Sequence, residues 1–259
     1  MKKYTIFIVG FLIIIALLDS CKKGENDPFF SIRSRKARVV ADWDIDSKSS
    51  IILYVLDNGQ TAKVDFEISG KTSVTEVVDS INTPKDTSKT RNGEVYEGYY
   101  HFNKDGSMEY ILHYTLIDDS TETDENTGET RSRIITTIYK TRASGTWNFM
   151  AGIDDYKNKE RIAMVWENYN YSVNVISRVE LLDDAGEMVT GYPISSSTFS
   201  AYENKYANGE RAEVWEINQL KNKEIIIMRD IDDISVYADD NLGTKMTGSG
   251  TESITLTRE

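Results

Sequence analysis

The sequence predicts an all-β fold, either an antiparallel β-barrel or a closely related β-sandwich, preceded by a short helix. Three observations carry this. Apolar and polar residues alternate at period two over most of the chain, the pattern of half-buried strands. Turn signals separate the runs: Asp57-Asn58-Gly59, Asn103-Lys104-Asp105-Gly106, Asp183-Asp184-Ala185-Gly186 and Asn208-Gly209. Beyond the start of the chain, no stretch carries the period of a long helix, and short strands with frequent turns fit a barrel or sandwich.

The first element is not part of that fold. Lys2 and Lys3 precede an apolar run from Tyr4 to Leu18, broken only by Thr5 and Gly10. The run is shorter than the ~20 apolar residues of a spanning helix. It ends at Leu17-Leu18-Asp19-Ser20-Cys21 and turns polar at once with Lys22, Lys23, Gly24, Glu25, Asn26 and Asp27. Cys21 is the only cysteine, so no internal disulfide is available to it. A basic start, an apolar stretch and a small residue before a cysteine resemble the lipobox of bacterial lipoproteins. The resemblance implies cleavage before Cys21 and lipid on Cys21. Residues 1–20 are then a signal peptide, 21–30 a lipidated polar tether, and 31–259 the β domain. It also implies an outer-membrane location, on the periplasmic face or the cell surface.

Asp27-Pro28 opens a predicted short helix reaching Val40, with Arg33, Arg35, Lys36 and Arg38 forming a solvated basic face. From there the pattern changes. Val39, Ala41, Trp43 and Ile45 alternate with Val40, Asp42, Asp44 and Asp46. Ile51 to Leu56 and Ala62 to Ile68 read as strands. Residues 70–95 are polar, contain Pro84, and read as a long loop with one strand at Val74 to Val78. The clearest hairpin follows. Tyr99, Tyr100 and Phe102 lead into a turn where Gly106 takes a positive φ, and Met108, Tyr110, Leu112, Tyr114 and Leu116 then share one face. The acidic stretch from Asp118 to Thr130 lacks the spacing of an EF-hand loop and reads as a solvated turn. Further strands are expected at Arg131–Thr141, from Gly145, at Arg161–Trp166, Tyr171–Leu182, Met188–Tyr192, Ala212–Leu220, Glu224–Arg229, Ile234–Tyr237 and Glu252–Thr257.

The chain carries 30 basic and 42 acidic residues, a formal charge of −12. Loss of residues 1–20 removes Lys2, Lys3 and Asp19 and leaves it more acidic still. Such a surface argues against nucleic acid as a partner. No Gly-rich phosphate loop, nucleotide fingerprint or Gly-x-Ser-x-Gly elbow occurs, so neither an enzyme signature nor a cofactor is expected. His101 and His113 fall on neighbouring strands of the predicted hairpin, where two histidines and a carboxylate would suit zinc. Their spacing lacks a His-x-His or Glu-x-x-His pattern, and ordinary strand histidines are the better reading.

Several short motifs resemble the lipocalin-like lipoproteins of Bacteroidetes: Cys21-Lys22-Lys23-Gly24, Ser34-Arg35-Lys36-Ala37-Arg38 before Trp43, Gly145-Thr146-Trp147, Trp215-Glu216-Ile217 with Leu220 to Glu224, and Ile254-Thr255-Leu256-Thr257. In lipocalins a Gly-x-Trp motif opens the first strand, and Ala41-Asp42-Trp43 holds that place. The resemblance implies packing of an arginine from the barrel's end on that tryptophan, with Arg258 the candidate. It also implies a small apolar or amphipathic ligand inside the barrel. The aromatic candidates for contacting it are Tyr100, Phe102, Tyr110, Tyr114, Trp147, Trp166 and Trp215. The alternative is a surface lipoprotein that meets a protein or glycan partner through an exposed aromatic face.

Overall fold

The computed structural model describes residues 35–56, 59–81, 87–124, 127–150, 160–183, 185–189, 194–207, 209–237 and 245–259. Cys21, the apolar run before it, the tether and the expected helix start at Asp27-Pro28 lie outside them. A short helix, α1 (Arg35–Val39), precedes eleven strands: β1 (Ala41–Leu56), β2 (Thr61–Ser69), β3 (Ser73–Ile81), β4 (Thr87–Phe102), β5 (Ser107–Thr123), β6 (Thr130–Met150), β7 (Arg161–Leu182), β8 (Ile194–Lys205), β9 (Arg211–Leu220), β10 (Glu224–Tyr237) and β11 (Lys245–Thr257). They form one antiparallel sheet that closes into a ring, so the barrel holds and the sandwich does not.

Neighbours around the ring follow the chain. β8 and β9 both run antiparallel to β7, from Ile194 opposite Val179 to Lys205 opposite Asn168, then from Arg211 opposite Trp166 to Glu216 opposite Arg161. They act as one descending strand interrupted between Lys205 and Arg211. At one end of the barrel β1 pairs directly with β4, from Ala41 opposite Phe102 to Asp44 opposite Tyr99, so the ring there has eight strands. Further along, the β2–β3 hairpin wedges between β1 and β4. Its tip takes positive φ at Gly70 and Lys71, and the Lys71 N–H donates to the Asp46 carbonyl at 3.0 Å. The barrel therefore has a narrow base and a wider mouth.

An eight-stranded ring is just wide enough for side chains to fill. The base is filled by Trp43, Phe102, Trp147, Trp166, Trp215, Ile162, Met164, Ile225 and Ile227, all buried. Burying each large apolar group contributes roughly 1.5–3 kcal/mol.

Bulges explain where strand prediction broke. The sequence predicts two strands on either side of Arg142–Ser144 and two more on either side of Glu167–Asn170. In the structure β6 and β7 are each continuous, with a register shift at Ser144/Gly145. The extra residue, Glu167, switches the inward set of β7 from Ile162, Met164 and Trp166 to Tyr169 and Tyr171, and so breaks the period-two phase. Gly145 lies at that shift because a Cβ there would sit 2.0 Å from the Val165 carbonyl oxygen. Gly106 has φ 92° at the hairpin turn, as expected.

Of residues 70–95, expected as a loop with one strand at Val74 to Val78, the structure makes all of β3, which contains that strand, and the first half of β4. Thr87 to Glu94 of β4 are polar and exposed or half-buried throughout, whereas β3 buries Val74 in the core. β8 (Ile194–Lys205) was not anticipated, for its Ser- and Thr-rich, largely exposed sequence carries no apolar alternation.

The basic face of α1 is not solvated as expected; it clamps the helix across the base. Arg35 pairs with Glu160, Arg38 is 4% exposed and donates to the Leu220 carbonyl, and the Lys36 Nζ lies 5.6 Å from the Trp147 ring centre. The end of the ring presents backbone carbonyls and aromatic rings that long cationic side chains cover. The Trp43 indole N–H donates to the Val39 carbonyl at 2.7 Å, and Arg258 stands 4.6 Å over the Trp43 ring, the packing that the resemblance implies.

Candidate functional site

Six of the seven aromatic candidates, Tyr100, Phe102, Tyr110, Trp147, Trp166 and Trp215, lie in the packed base. Tyr100 stacks on Phe102 at 5.8 Å and touches Tyr110 at 4.7 Å; Phe102 meets Trp147 edge-on at 5.4 Å; Tyr110 approaches Trp166 at 6.0 Å. These rings mainly fill the ring of eight strands. Tyr114 stands above them, half-buried, where the barrel widens.

Around Tyr114 runs an aromatic row that crosses the inner wall strand by strand. Phe66 on β2 meets Tyr114 on β5 at 5.3 Å, Tyr114 stacks on Tyr139 of β6 at 4.9 Å, Tyr139 lies 6.3 Å from Tyr171 of β7, and Tyr171 lies 6.4 Å from Tyr202 of β8. Phe66, Tyr114, Tyr139 and Tyr171 are half-buried and Tyr202 is exposed, with Phe66, Tyr114 and Tyr139 packed against the core. On the same wall Glu76 pairs with Arg91, whose Nη2 reaches the Tyr139 hydroxyl at 3.5 Å.

Between the packed base and this row lies a layer of charge. Lys48 Nζ is 2.7 Å from Glu252, and Arg229 reaches Glu252 at 2.6 Å and Glu213 at 3.2 Å. Arg229 also lies 4.5 Å over the Trp215 ring. Arg211 stands 3.7 Å over the Tyr169 ring and donates to the Tyr206 hydroxyl at 3.3 Å, with Glu213 no nearer than 4.0 Å. Burial alone would raise the Glu252 pKa, but Lys48 and Arg229 outweigh it and hold the carboxyl below its ordinary value. Burial alone would lower the Lys48 pKa, and Glu252, Tyr110 and Tyr169 together push it above the usual lysine range. Both groups stay ionised through neutral pH, which suits recognition by charge and not proton transfer.

The side wall has a fork. β9 pairs with β10 only as far as Glu216 opposite Met228. Beyond that point β10 pairs with β11 and β8 with β7, and among the described residues neither meets the other. A groove of about 430 Å³ opens at the fork, lined by Val214, Met228, Asp230 and the floor residue Arg229. Val214 and Met228 are exposed on the outer face of the barrel, and Arg229 is the one charged-floor residue in the lining.

His101 lies opposite Glu109 and His113 opposite Glu97, so the two histidines do not meet. His101 bonds Asp42 and Asn103, and His113 packs on Tyr96 at 5.1 Å. Among the described residues no three His, Cys, Asp or Glu side chains converge as a metal site would require, and no helix is long and apolar enough to cross a membrane. In the acidic stretch, Asp118 pairs with Lys89.

The charged floor was not singled out in the sequence, though a signal was present. Arg229 continues the inward alternation of Ile225 and Ile227, and Glu252 that of Ile254 and Leu256. A charge in phase with the buried face of a strand marks a partner across the core. No family model, curated protein or solved structure matches this chain.

Proposed function

We propose that this chain is a lipid-anchored outer-membrane binding protein that holds a small amphipathic ligand in the wide half of its barrel. The observation that carries the reading is the division of the interior. The base is packed with side chains, whereas the wide half carries a row of half-buried tyrosines beside a layer of fixed charge. An apolar wall with a few convergent polar groups is the usual form of a ligand site. The ion-paired carboxylates of the floor favour binding over catalysis. Lipid on Cys21 supplies the anchor, and two or three acyl chains make release negligible.

Native mass spectrometry of the full chain, released from detergent micelles, tests the binding. A reproducible non-covalent mass beyond the lipidated chain is expected, and a clean mass under conditions that preserve other lipocalin-type complexes refutes it. Cys21→Ser tests the anchor: the chain should leave the membrane fraction and lose its lipid mass.

A second reading, contact with a protein or glycan partner, draws on β8. That strand exposes Ile194 and Phe199, the latter at 67%, on a strand paired along one side only among the described residues. A pull-down from envelope extracts that is abolished by Phe199→Ser, with ligand mass unchanged, would favour it.

A further inference from the structure

We infer that the ligand carries an anionic headgroup, and that Arg211 receives it at the floor of the mouth. The inference deepens the binding reading above and rests on it.

Three cations face the floor, Lys48, Arg229 and Arg211, against two carboxylates, Glu252 and Glu213. Among the described residues the floor therefore holds one positive charge in excess, inside a chain of formal charge −12. Burying a surplus charge is costly unless something pairs it. The surplus is not shared evenly. Lys48 and Arg229 each touch a carboxylate within 2.7 Å. Arg211 has its nearest carboxylate at 4.0 Å, and is held in place by the Tyr169 ring and the Tyr206 hydroxyl. Its side chain keeps 33% exposure, so its remaining N–H donors are reachable.

A second donor sits beside it. Trp166 lies opposite Arg211 in the β7–β9 register, on the same inward face. It is 1% exposed, and among the described residues its indole N–H has no acceptor. Cross-strand neighbours of this kind have Cβ atoms ~5 Å apart. A guanidinium short of a carboxylate next to an indole N–H short of an acceptor forms a corner of unmatched donors. A carboxylate, sulfonate or sulfate oxygen supplies the acceptor that the reachable donors of Arg211 lack. Tyr169 connects this corner to Tyr171, two residues on along the same face, and so to the aromatic row where the apolar body would lie.

The test uses two probes of one shape, naphthalene-2-sulfonate and the neutral naphthalene-2-sulfonamide. Each is titrated calorimetrically into the full chain in phosphatidylcholine nanodiscs, with empty nanodiscs as blank. A charge-assisted contact predicts that the sulfonate binds at least about tenfold more tightly than the sulfonamide. Arg211→Gln should abolish that preference, weakening the sulfonate far more than the sulfonamide, and Arg211→Lys should restore part of it. Matched thermal melts establish that the variants are folded. Equal binding of the two probes, or a preference that survives in Arg211→Gln, overturns the headgroup assignment but leaves amphiphile binding standing. No heat from either probe, together with a clean native mass, overturns the binding reading itself.

Discussion

Glu252 is the residue whose loss should be felt most in the mouth. It is 6% exposed and bridges Lys48 at 2.7 Å and Arg229 at 2.6 Å. Glu252→Gln removes the charge and keeps the shape. Two cations are then left facing each other, and only Arg229 retains a carboxylate, Glu213 at 3.2 Å. Breaking a buried pair by removing one partner costs roughly 3–5 kcal/mol. Lys48 and Arg229 keep 15% and 19% exposure, and water at those positions offsets part of the cost, so about 3 kcal/mol is expected. For a domain of this size that corresponds to a Tm lower by about 6–12 °C. The assay is thermal unfolding of the full chain in detergent at neutral pH, followed by far-UV circular dichroism. A drop smaller than about 2 °C would refute the claim that this carboxylate carries the charge balance of the floor. The pH dependence gives a second check. The folded-state pKa of Glu252 lies below its ordinary 4.5, so its contribution is complete above 4.5 and drains away as the pH falls through the folded value. The Tm gap between wild type and Glu252→Gln should therefore be widest at neutral pH and close progressively below 4.5. A gap that stayed constant into acid would mean that packing, not charge, had been lost.

Other expectations follow from single contacts. Arg258→Ala removes the guanidinium 4.6 Å over Trp43 and should cost about 1 kcal/mol, read as a Tm lower by about 2–4 °C with an altered Trp43 emission. Gly145→Ala places a methyl group 2.0 Å from the Val165 carbonyl, a backbone clash that no rotamer relieves. It should cost at least about 3 kcal/mol, seen in denaturant titration and in the yield of folded protein. Tyr139→Ala removes the middle ring of the row, which has neighbours at 4.9 and 6.3 Å. It should weaken naphthalene-2-sulfonamide about tenfold with little change in Tm, since the ring is only half-buried.

The base of the barrel was legible because its strands obey one rule. Met108, Tyr110 and Leu112 alternate without interruption, and so do Ile254 and Leu256 opposite Ile225 and Ile227. The mouth was not legible for the same reason inverted. Thr87 to Glu94 and Ile194 to Lys205 are wetted on both faces, so the pattern that marks a strand is missing although the ladder is complete. Bulges account for the false breaks, since Glu167 and Asp46 each shift the inward phase by one residue. The aromatic candidates were chosen by residue type, which cannot separate a ring that fills a core from one that lines a wall. Only Tyr114 of the seven stands on the row, because strand direction and ring width decide that, and neither is written in composition. The charged floor needed both phases and partners, and Lys48 and Glu252 sit on the first and last strands of the chain.

The chain enters the barrel through α1, clamped across the narrow end. For a protein held by lipid on Cys21, as proposed, this sets which end of the vessel is tethered. Thirteen residues lie between Cys21 and Arg35, a leash of at most roughly 50 Å when fully drawn out. β7 alone, with 22 residues and a tilt of about 40°, gives the barrel a height of roughly 50 Å. On that proposal the anchor joins the barrel at its narrow end, by a leash about as long as the barrel is high. A cargo molecule would enter at the wide mouth, the end of the barrel opposite the one that carries the anchor.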